Sequence, residues 1–494
     1  MKVKLIHIAR TRPVFLFLLS LFFVLHGFTW NFDFVPVKDA LVLLAIYWAV
    51  SGLLSVLFLV LFRNYGKAAI LASFVMAFHF FFGGLHDTVK KILPGSLVTR
   101  YIFILPLVAL LFVIIFILLK RKKQPVFRLN LYLNTLLILL VLGDAGWLTG
   151  KVFSRKKVIL VSLPSGFTAC KDCSKPDIYF ILADEYAGNT ELKDLFQFDD
   201  SSFIMELETR GFHIIPRSYS NYNYTPFSLA SILNMDYLDL KGKDRAKPDL
   251  AYCYEAIRDN KLLEFLQFHQ YHFYNYSVFD FKGQPARTHE SFLPVKTKLI
   301  TSQTFLSRLQ RDIGFNLVTK LKSKQALRKI TYSVKKDNEN IYKLTWDIAE
   351  ENSTSPKWIY THLMMPHYPY YYDRNGKEQP FETVVEGNQH HKEAYIGYLQ
   401  YSNNKLLELI DHILRSSAKP PLIILMGDHG FRHFRETVAS RYHFLNLVSV
   451  YLPSGNYSAF SDSLTGVNFF RTLLNTEFRQ QLPLLKDSTS YLSD

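Results

Sequence analysis

The hydrophobic pattern divides the chain into two parts of different character. In the first part, long apolar stretches alternate with short polar ones, and the stretches lie at 13–30, 40–62, 68–86, 101–119 and 129–149. Each is close to the ~20 residues that an α-helix needs to cross a bilayer. We therefore predict an N-terminal all-α transmembrane domain of about five helices at 1–150, followed by a juxtamembrane linker at 151–175.

From residue 176 onward the apolar stretches are short and change in type. Strands are predicted at 178–183, 212–215, 272–279, 357–363, 421–426 and 448–452, and helices at 192–210, 255–268, 391–415 and 462–475. The lysine-rich region at 298–335 is partly helical in pattern and is not placed. Strand and helix patterns that alternate are typical of a layered α/β domain. Continuous apolar strands such as 178–183 indicate a mainly parallel central sheet that is covered on both faces. The α/β domain is predicted to span 176–494.

The net positive charge of the chain is confined to its N-terminal part. The 494 residues have a formal net charge of +15, and 49% of them are hydrophobic, which excludes a disordered chain. Residues 1–157 carry 19 Lys and Arg against 4 Asp and no Glu, whereas the remaining residues carry 38 basic and 38 acidic side chains. The basic excess therefore belongs to the membrane part, and a nucleic-acid-binding surface is not supported.

The loops between the spans predict the orientation of the domain. One set of alternate loops, with the N-terminal segment, holds eleven Lys and Arg, and the other set holds four. The positive-inside rule then places the N-terminus in the cytoplasm and everything after the fifth span outside. A basic cluster at 151–157 argues the other way, or it lies along anionic lipid headgroups. Outside the cytoplasm, Cys170 and Cys173 are interpreted as a local disulfide or two thiols rather than a zinc knuckle.

Acidic residues and a histidine follow two of the predicted strands. Asp184 and Glu185 come directly after the strand at 178–183, and Asp428 and His429 follow the strand at 421–426. Ligands in open α/β sheets bind at the carboxyl ends of strands. Carboxylates and neutral imidazole are ordinary ligands of zinc or manganese. Each pair is therefore either part of a metal site or the location of a helix N-cap. If Asp428 is an N-cap, His429 would be a surface histidine.

A threonine begins the helical pattern between these two pairs. In Thr225-Pro226 a hydroxyl stands at the predicted N-cap and a proline at the first helical position. The N-terminus of a helix also favours an anion, because its free N–H groups point toward it. Thr225 is therefore either a helix cap or a nucleophile whose pKa is lowered by a metal ion.

In this order and spacing the three segments resemble the alkaline phosphatase superfamily, and within it the sulfatase-like branch. That branch includes the membrane-bound phosphoglycerol and phosphoethanolamine transferases of bacterial envelopes. The segment at 361–369 resembles the histidine-rich substrate loop of the family. The resemblance implies a nucleophile at Thr225, a substrate residue at His367, and metal ligands at Asp184, Glu185, Thr225, Asp428 and His429.

The chain also departs from the sulfatase pattern. Sulfatases require a cysteine or serine at the nucleophile position, which is oxidised to formylglycine, within a Cys/Ser-x-Pro-x-Arg motif. Here the position holds Thr225, and Leu229 stands where the arginine would be. The basic substrate residues of the transferases are not matched, although Lys282 and Arg287 are candidates. His433 and His443, downstream of the ligand pair, are interpreted as surface or half-buried residues.

Taken with the resemblance, these patterns predict a metal-dependent envelope enzyme. It would move a phosphoglycerol- or phosphoethanolamine-type headgroup from a phospholipid donor to an envelope glycan or lipid acceptor, through a phosphothreonine. The divalent ion expected is Zn or Mn, with Mg or Ca as alternatives. A phosphodiesterase or atypical sulfuric ester hydrolase on the same site, and a non-catalytic membrane protein that retains the fold, remain as alternatives. The expected location is the bacterial inner or plasma membrane, with the catalytic domain periplasmic or extracellular.

Overall fold

A computed structural model of the chain describes residues 10–32, 34–122, 126–156, 163–240, 247–288, 296–314 and 324–493. The chain divides into two compact units, of which one comprises Met1–Val158 with Pro294–Ser323 and the other Ile159–Leu293 with Lys324–Asp494. Some of the basic residues used in the charge argument lie outside the described residues, namely Lys2, Lys4, Lys123 and Lys157. The domain boundaries proposed from the sequence, at 150 and 175, stay predictions.

The first unit is built mainly from apolar helices. They are Phe15–Trp30, Val37–Phe62, Tyr65–Ile92, Tyr101–Arg121 and Phe127–Lys156, with a 3₁₀ turn at Leu97–Thr99. The four helices from Val37–Phe62 onward are each long and apolar enough to cross a membrane. The helix Phe15–Trp30 has 16 residues and is shorter. At 1.5 Å per residue it extends about 24 Å, against a hydrocarbon core of about 30 Å.

A segment far along the chain, residues 296–314, also belongs to the helical unit. Its short elements are the helices Lys298–Thr301 and Phe305–Leu309 and a π-helical turn at Gln310–Gly314. Ile300 is buried in the apolar core of this unit. Phe305 packs against Phe78 and Phe82, with ring centroids 5.0 and 5.1 Å apart. The sequence left this region unplaced, and its assignment to the helical unit is a structural finding.

The second unit is organised around a six-stranded sheet. The strands are β1 (Ile178–Ala183), β2 (His213–Ile214), β3 (His272–Tyr276), β4 (Lys357–Leu363), β5 (Leu422–Gly427) and β6 (Val448–Tyr451). Their order across the sheet is β2-β6-β5-β1-β4-β3. β1 is parallel to both β4 and β5, and β3 is parallel to β4, whereas β6 and β2 are antiparallel to their neighbours. Every residue of β1, β4 and β5 is buried, as expected for strands covered on both faces.

Helices cover both faces of this sheet. They are Asn189–Phe196, Ser201–Thr209, Thr225–Asn234, Lys247–Arg258, Lys261–Phe268, Lys324–Thr331, Ser333–Glu350, Phe381–Glu386, Lys392–Ser416 and Gly466–Glu477, with a 3₁₀ turn at Ser440–Phe444. Successive residues of β1 enter two apolar cores: Leu182 lies in one and Ile181 in the other. The helix Thr225–Asn234 contributes to the first core and Lys392–Ser416 to the second. The layered architecture follows from this alternation.

The predicted fold class is confirmed, with apolar helices followed by an α/β domain that has a mainly parallel sheet. The extents of several elements differ from the prediction. The helix predicted at 192–210 is two helices, because Gln197 has a left-handed φ of 53° and ends the first. The helix predicted at 255–268 is interrupted before Asn260, whose side chain caps a new helix by accepting from the Leu263 N–H. The strand predicted at 272–279 ends at Tyr276.

Candidate active site

The candidate site lies where β1 and β5 end. These strands are adjacent and parallel, and Ala183 is paired with Gly427. The residues that follow, Asp184 and Asp428, therefore emerge side by side at the carboxyl edge of the sheet, where α/β proteins commonly bind ligands. Both carboxylates are fully or almost fully buried, since these residues are 1% and 0% exposed.

Asp184 is oriented by a histidine from the neighbouring strand β4. His362 Nε2 lies 2.8 Å from Asp184 Oδ2, and His362 Nδ1 lies 3.2 Å from the Tyr360 hydroxyl. When Tyr360 donates to Nδ1, the neutral imidazole donates its Nε2–H to the carboxylate. Asp184 Oδ1 has no hydrogen-bond partner among the described residues. One oxygen is thus fixed and the other is left for a ligand.

Asp428 and His429 each have one side-chain atom held by the backbone and one that faces the site. The Glu185 backbone N–H donates to Asp428 Oδ1 at 2.9 Å, while Oδ2 has no partner in the described part of the chain. His429 Nδ1 lies 2.8 Å from the Gly430 carbonyl oxygen, so this nitrogen carries the hydrogen. Nε2 then presents its lone pair to Asp428 Oδ2 at 3.2 Å. A cation bound between these two acceptors would stabilise both.

The loop that carries this pair packs too tightly for any residue but glycine at position 430. A Cβ on Gly430 would collide with the backbone carbonyl of Tyr442 and would lie 2.5 Å from Glu191 Oε2. Glu191 is fully buried, and its carboxylate accepts a hydrogen bond of 3.1 Å from the Phe431 N–H. Burial raises the pKa of Glu191 well above its usual value. The buried carboxylate of Glu191 therefore fixes the backbone of this loop at Gly430 and Phe431.

Thr225 begins its helix and faces the histidine. Its Oγ1 lies 3.3 Å from His429 Nε2, so the hydroxyl donates toward the lone pair. The prediction of an N-cap role for Thr225 is wrong, because Tyr224 occupies the N-cap position of this helix. Ser228, one turn further on, donates to the Asp428 carbonyl oxygen at 2.6 Å and fastens the helix to the loop.

The donor set fits a divalent metal ion. Asp184, Asp428 and His429 each offer one ligand atom, and these atoms lie within 4.8 Å of one another. The unpartnered buried oxygens of the two carboxylates would be costly without a counter-charge. Carboxylate and imidazole ligands together are suited to zinc or manganese. The residues present therefore form a site that a divalent ion would complete.

Glu185 belongs to a second group rather than to the first. It has a left-handed φ of 59°, and its carboxylate is grouped with His367 and His433. His433 Nε2 lies 3.4 Å from Glu185 Oε1, and His367 Nε2 lies 3.9 Å from Oε2. His433 was interpreted from the sequence as a surface or half-buried residue. Its position four residues after His429 was the only signal that could have placed it here.

Burial and charge shift the titration of both groups. Burial raises the pKa of Glu185 to about 8, although the charge of Arg432 opposes this. Burial lowers the pKa of His367 and of His433. Burial alone would raise the pKa of Asp184, but the nearby His367 charge and the His362 hydrogen bond hold it below its usual value.

The basic candidates from the sequence have other contacts. Lys282 pairs with Asp259 at 2.9 Å, and the structure records Arg287 only through its backbone bond to Ser277 and its charge acting on Tyr276. The cation that the structure brings to the site is Arg432, which sequence reasoning missed.

His443 does not join either group. Its ring lies 5.8 Å from that of Phe434 and 5.3 Å from that of Tyr491. The sequence-based expectation of a surface or half-buried residue is wrong for His443, because these rings help to bury it to 7% exposure. Cys170 and Cys173, left open between a disulfide and two thiols, form a disulfide.

Comparisons with known proteins give a family match. The sequence model of the sulfatase family matches residues 203–472. No curated protein matches. Among solved structures, the chain is similar to the C-terminal periplasmic domain of EptC from Escherichia coli in complex with Zn, with 10% identity over 67% of this chain and 94% of that chain and a TM-score of 0.41. It is also similar to the C-terminal periplasmic domain of the phosphoethanolamine transferase EptC from Campylobacter jejuni, with 13% identity, coverages of 63% and 92% and a TM-score of 0.35. A third similarity is to the integral membrane protein lipooligosaccharide phosphoethanolamine transferase A (EptA) from Neisseria meningitidis, with 12% identity, coverages of 97% and 96% and a TM-score of 0.35.

Because the family model covers more than half of the sequence, the chain belongs to the sulfatase family. The resemblance inferred from the three motifs is confirmed, and the protein is an enzyme of this superfamily. The matched region includes Thr225, His367, Asp428 and His429, whereas Asp184 precedes it. The roles of these individual residues stay predictions.

Proposed function

We propose that the protein transfers a phosphoglycerol- or phosphoethanolamine-type headgroup from a phospholipid to an envelope glycan or lipid, through a phosphothreonine at Thr225. The observation that carries the proposal is the position of the Thr225 hydroxyl, 3.3 Å from His429 Nε2 and beside three converging ligands. A hydroxyl beside a metal group is the arrangement of an activated nucleophile. Oxidation of a threonine would give a ketone rather than formylglycine, which favours phosphoryl transfer over sulfate ester hydrolysis.

Asp184, Asp428 and His429 would hold the divalent ion. Zn or Mn is expected first, with Mg or Ca as alternatives. When bound, the ion supplies positive charge that lowers the pKa of a neighbouring hydroxyl and offsets negative charge on phosphoryl oxygens. Glu185, in the second group, would act on the substrate side of the site.

In the first half of the reaction the Thr225 hydroxyl gives its proton to water, and Oγ1 forms a bond to phosphorus while the bond from phosphorus to the diacylglycerol oxygen breaks. The departing oxygen takes a proton. His367 would deliver this proton from Nε2 as the imidazolium, because its Nδ1–H is held by the Tyr368 carbonyl oxygen at 2.6 Å. Burial lowers the pKa of His367, so the negative charge of the bound phosphodiester would be what favours the protonated form. General acid catalysis of this kind contributes roughly 10²–10⁴-fold.

In the second half an acceptor hydroxyl attacks the phosphothreonine. The bond from phosphorus to Thr225 Oγ1 breaks, Oγ1 regains a proton from water, and the acceptor gives its proton to His367 Nε2. Water in place of the acceptor would make the same site a phosphodiesterase. The transferase is preferred because the apolar helices would anchor the chain in a membrane, which contains the phospholipid donor and borders the envelope acceptors.

The test uses the full-length, metal-loaded protein in detergent with labelled phosphatidylglycerol or phosphatidylethanolamine. We expect diacylglycerol release and a labelled adduct on Thr225, and we expect Thr225→Ala to abolish both. Thr209→Ala, at an exposed helix position, is the matched control and should leave both unchanged. Full turnover by Thr225→Ala would refute the mechanism. Absence of co-purified metal, with no effect of Asp428→Asn, would favour a binding protein.

A further inference from the structure

Arg432 lies beside the start of the helix that carries Thr225. Its backbone N–H donates to Glu185 Oε1 at 3.1 Å, which fixes the chain at this point. Its guanidinium carbon lies 4.6 Å from the ring centroid of Tyr224, the residue before Thr225. The loop after β5 therefore delivers two metal-group residues, Asp428 and His429, and then a cation.

The guanidinium of Arg432 has hydrogen-bond donors that no acceptor of the described residues satisfies. Its Nε is buried without a hydrogen-bond partner, and no carboxylate of the described residues forms an ion pair with it. The stacking on Tyr224 uses the face of the guanidinium and holds its orientation, while the N–H groups along its edge remain available. A partly buried cation without an acceptor is unfavourable, so its place in the site points to an anionic ligand.

The surroundings of Arg432 also favour an anion. Its positive charge lies close enough to act on Glu185, His367 and His433, the three side chains of the second group. An oxyanion between the first metal group and Arg432 would meet positive charge on two sides.

We propose that Arg432 binds the non-bridging oxygens of a phosphodiester, and that it makes this site selective for that anion. The inference rests on the proposed function and deepens it by assigning the residue that recognises the substrate phosphate. The planar fork of an arginine matches two oxygens of one phosphate, which a lysine binds only as a point charge.

The test measures binding, so that it does not depend on turnover. Full-length, metal-loaded protein is titrated with a soluble phosphodiester, glycerophosphoethanolamine, and separately with inorganic phosphate. Hydrogen bonds to charged groups contribute about 1.5–3 kcal/mol, so Arg432→Gln should weaken the binding of the diester roughly 10–100-fold. Arg432→Lys should recover part of the affinity. Arg435→Gln, three residues on and exposed, is the matched control and should bind as the wild type does.

Metal content and melting temperature are measured on every variant, because a variant that has lost the ion would weaken binding for another reason. Unchanged diester affinity in Arg432→Gln with full metal content would overturn the inference. Weakening for inorganic phosphate alone would also overturn it, since the residue would then hold free phosphate and not the substrate. If wild-type protein binds the diester through Arg432 but transfers nothing, the proposed function fails while this inference stands.

Discussion

At the scale of single residues, His362 orients Asp184, which we propose as a metal ligand. It is fully buried on β4, stacks on Phe279 with ring centroids 5.7 Å apart, and donates to Asp184 Oδ2. Partners of this kind typically change metal affinity 10–100-fold when they are removed. We therefore expect His362→Leu to weaken metal binding roughly 10–100-fold, measured by competition with a chelator of known affinity. His362→Gln keeps a donor near the Nε2 position and should recover part of the loss.

The control for this prediction is another buried histidine of the same unit. His412 donates to the Trp346 carbonyl oxygen at 3.1 Å and stacks on the Trp346 ring. His412→Leu should lower the melting temperature without a change in metal affinity. An equal loss of metal affinity in both variants would mean that the effect of His362 is general destabilisation.

The main ligands could be proposed from the sequence because they follow continuous apolar strands. The rule that parallel strands end at the same edge brought Asp184, Asp428 and His429 together, and the resemblance to the alkaline phosphatase superfamily then favoured metal ligands over helix N-caps. His362 could not be assigned in this way, because its role depends on the register between β1 and β4, which pairs it with Leu182. Arg432 was missed for a similar reason. Its contact with Tyr224 joins residues about two hundred positions apart, and no local pattern records it.

At the scale of elements, β1 and β4 have the bounds that the sequence predicted, since both are fully buried and their apolar runs end abruptly. The helix ends were less predictable, because Gln197 terminates a helix in a left-handed conformation without a glycine or proline to mark it. The segment 296–314 could not be placed at all. The segment is rich in lysine and arginine, so its sequence shows no clear apolar pattern. Its position depends on a few apolar contacts, which are made by Ile300 and Phe305.

Two adjacent glycines of the helix Tyr65–Ile92 test how this segment is held. The Gly83 N–H donates to the Gln303 carbonyl oxygen at 2.8 Å, and a Cβ on Gly83 would lie 2.5 Å from that oxygen. A Cβ on Gly84 would meet nothing within 4 Å. Gly83→Ala should therefore destabilise the helical unit by about 1–3 kcal/mol, the usual cost of overpacking. Gly84→Ala should be neutral or slightly stabilising, because alanine favours the helix by up to about 1 kcal/mol.

The measurement is thermal unfolding of the full-length protein in detergent, with trypsin cleavage at Lys298 as a local readout. We expect a lower melting temperature and faster cleavage for Gly83→Ala only. Equal behaviour of the two variants would mean that the contact between Gly83 and Gln303 does not hold the segment.

At the scale of the whole molecule, charge and hydrophobicity are partitioned along the chain. The net charge of +15 resides in residues 1–157, while the rest of the chain is balanced. Such a partition suits a membrane part whose basic loops face the cytoplasm and a catalytic part without a polyanion-binding surface. The disulfide between Cys170 and Cys173 agrees with an oxidising environment for the second unit.

The orientation depends on whether the short helix Phe15–Trp30 crosses the membrane. If it does, five spans place Arg10 and Arg121 in the cytoplasm and Ser353 outside; if it does not, Arg10 lies on the same side as Ser353.

All three residues are exposed, and single cysteines at these positions can be labelled in spheroplasts with a membrane-impermeant maleimide. The wild type is the control for background, since Cys253 is buried and the other two cysteines are paired. We expect Ser353→Cys to react in intact spheroplasts, and Arg10→Cys and Arg121→Cys to react only after lysis. Labelling of Arg10→Cys but not of Arg121→Cys in intact spheroplasts would show that only the four longer helices cross. Labelling of Arg121→Cys there would contradict the orientation that the positive charges predict.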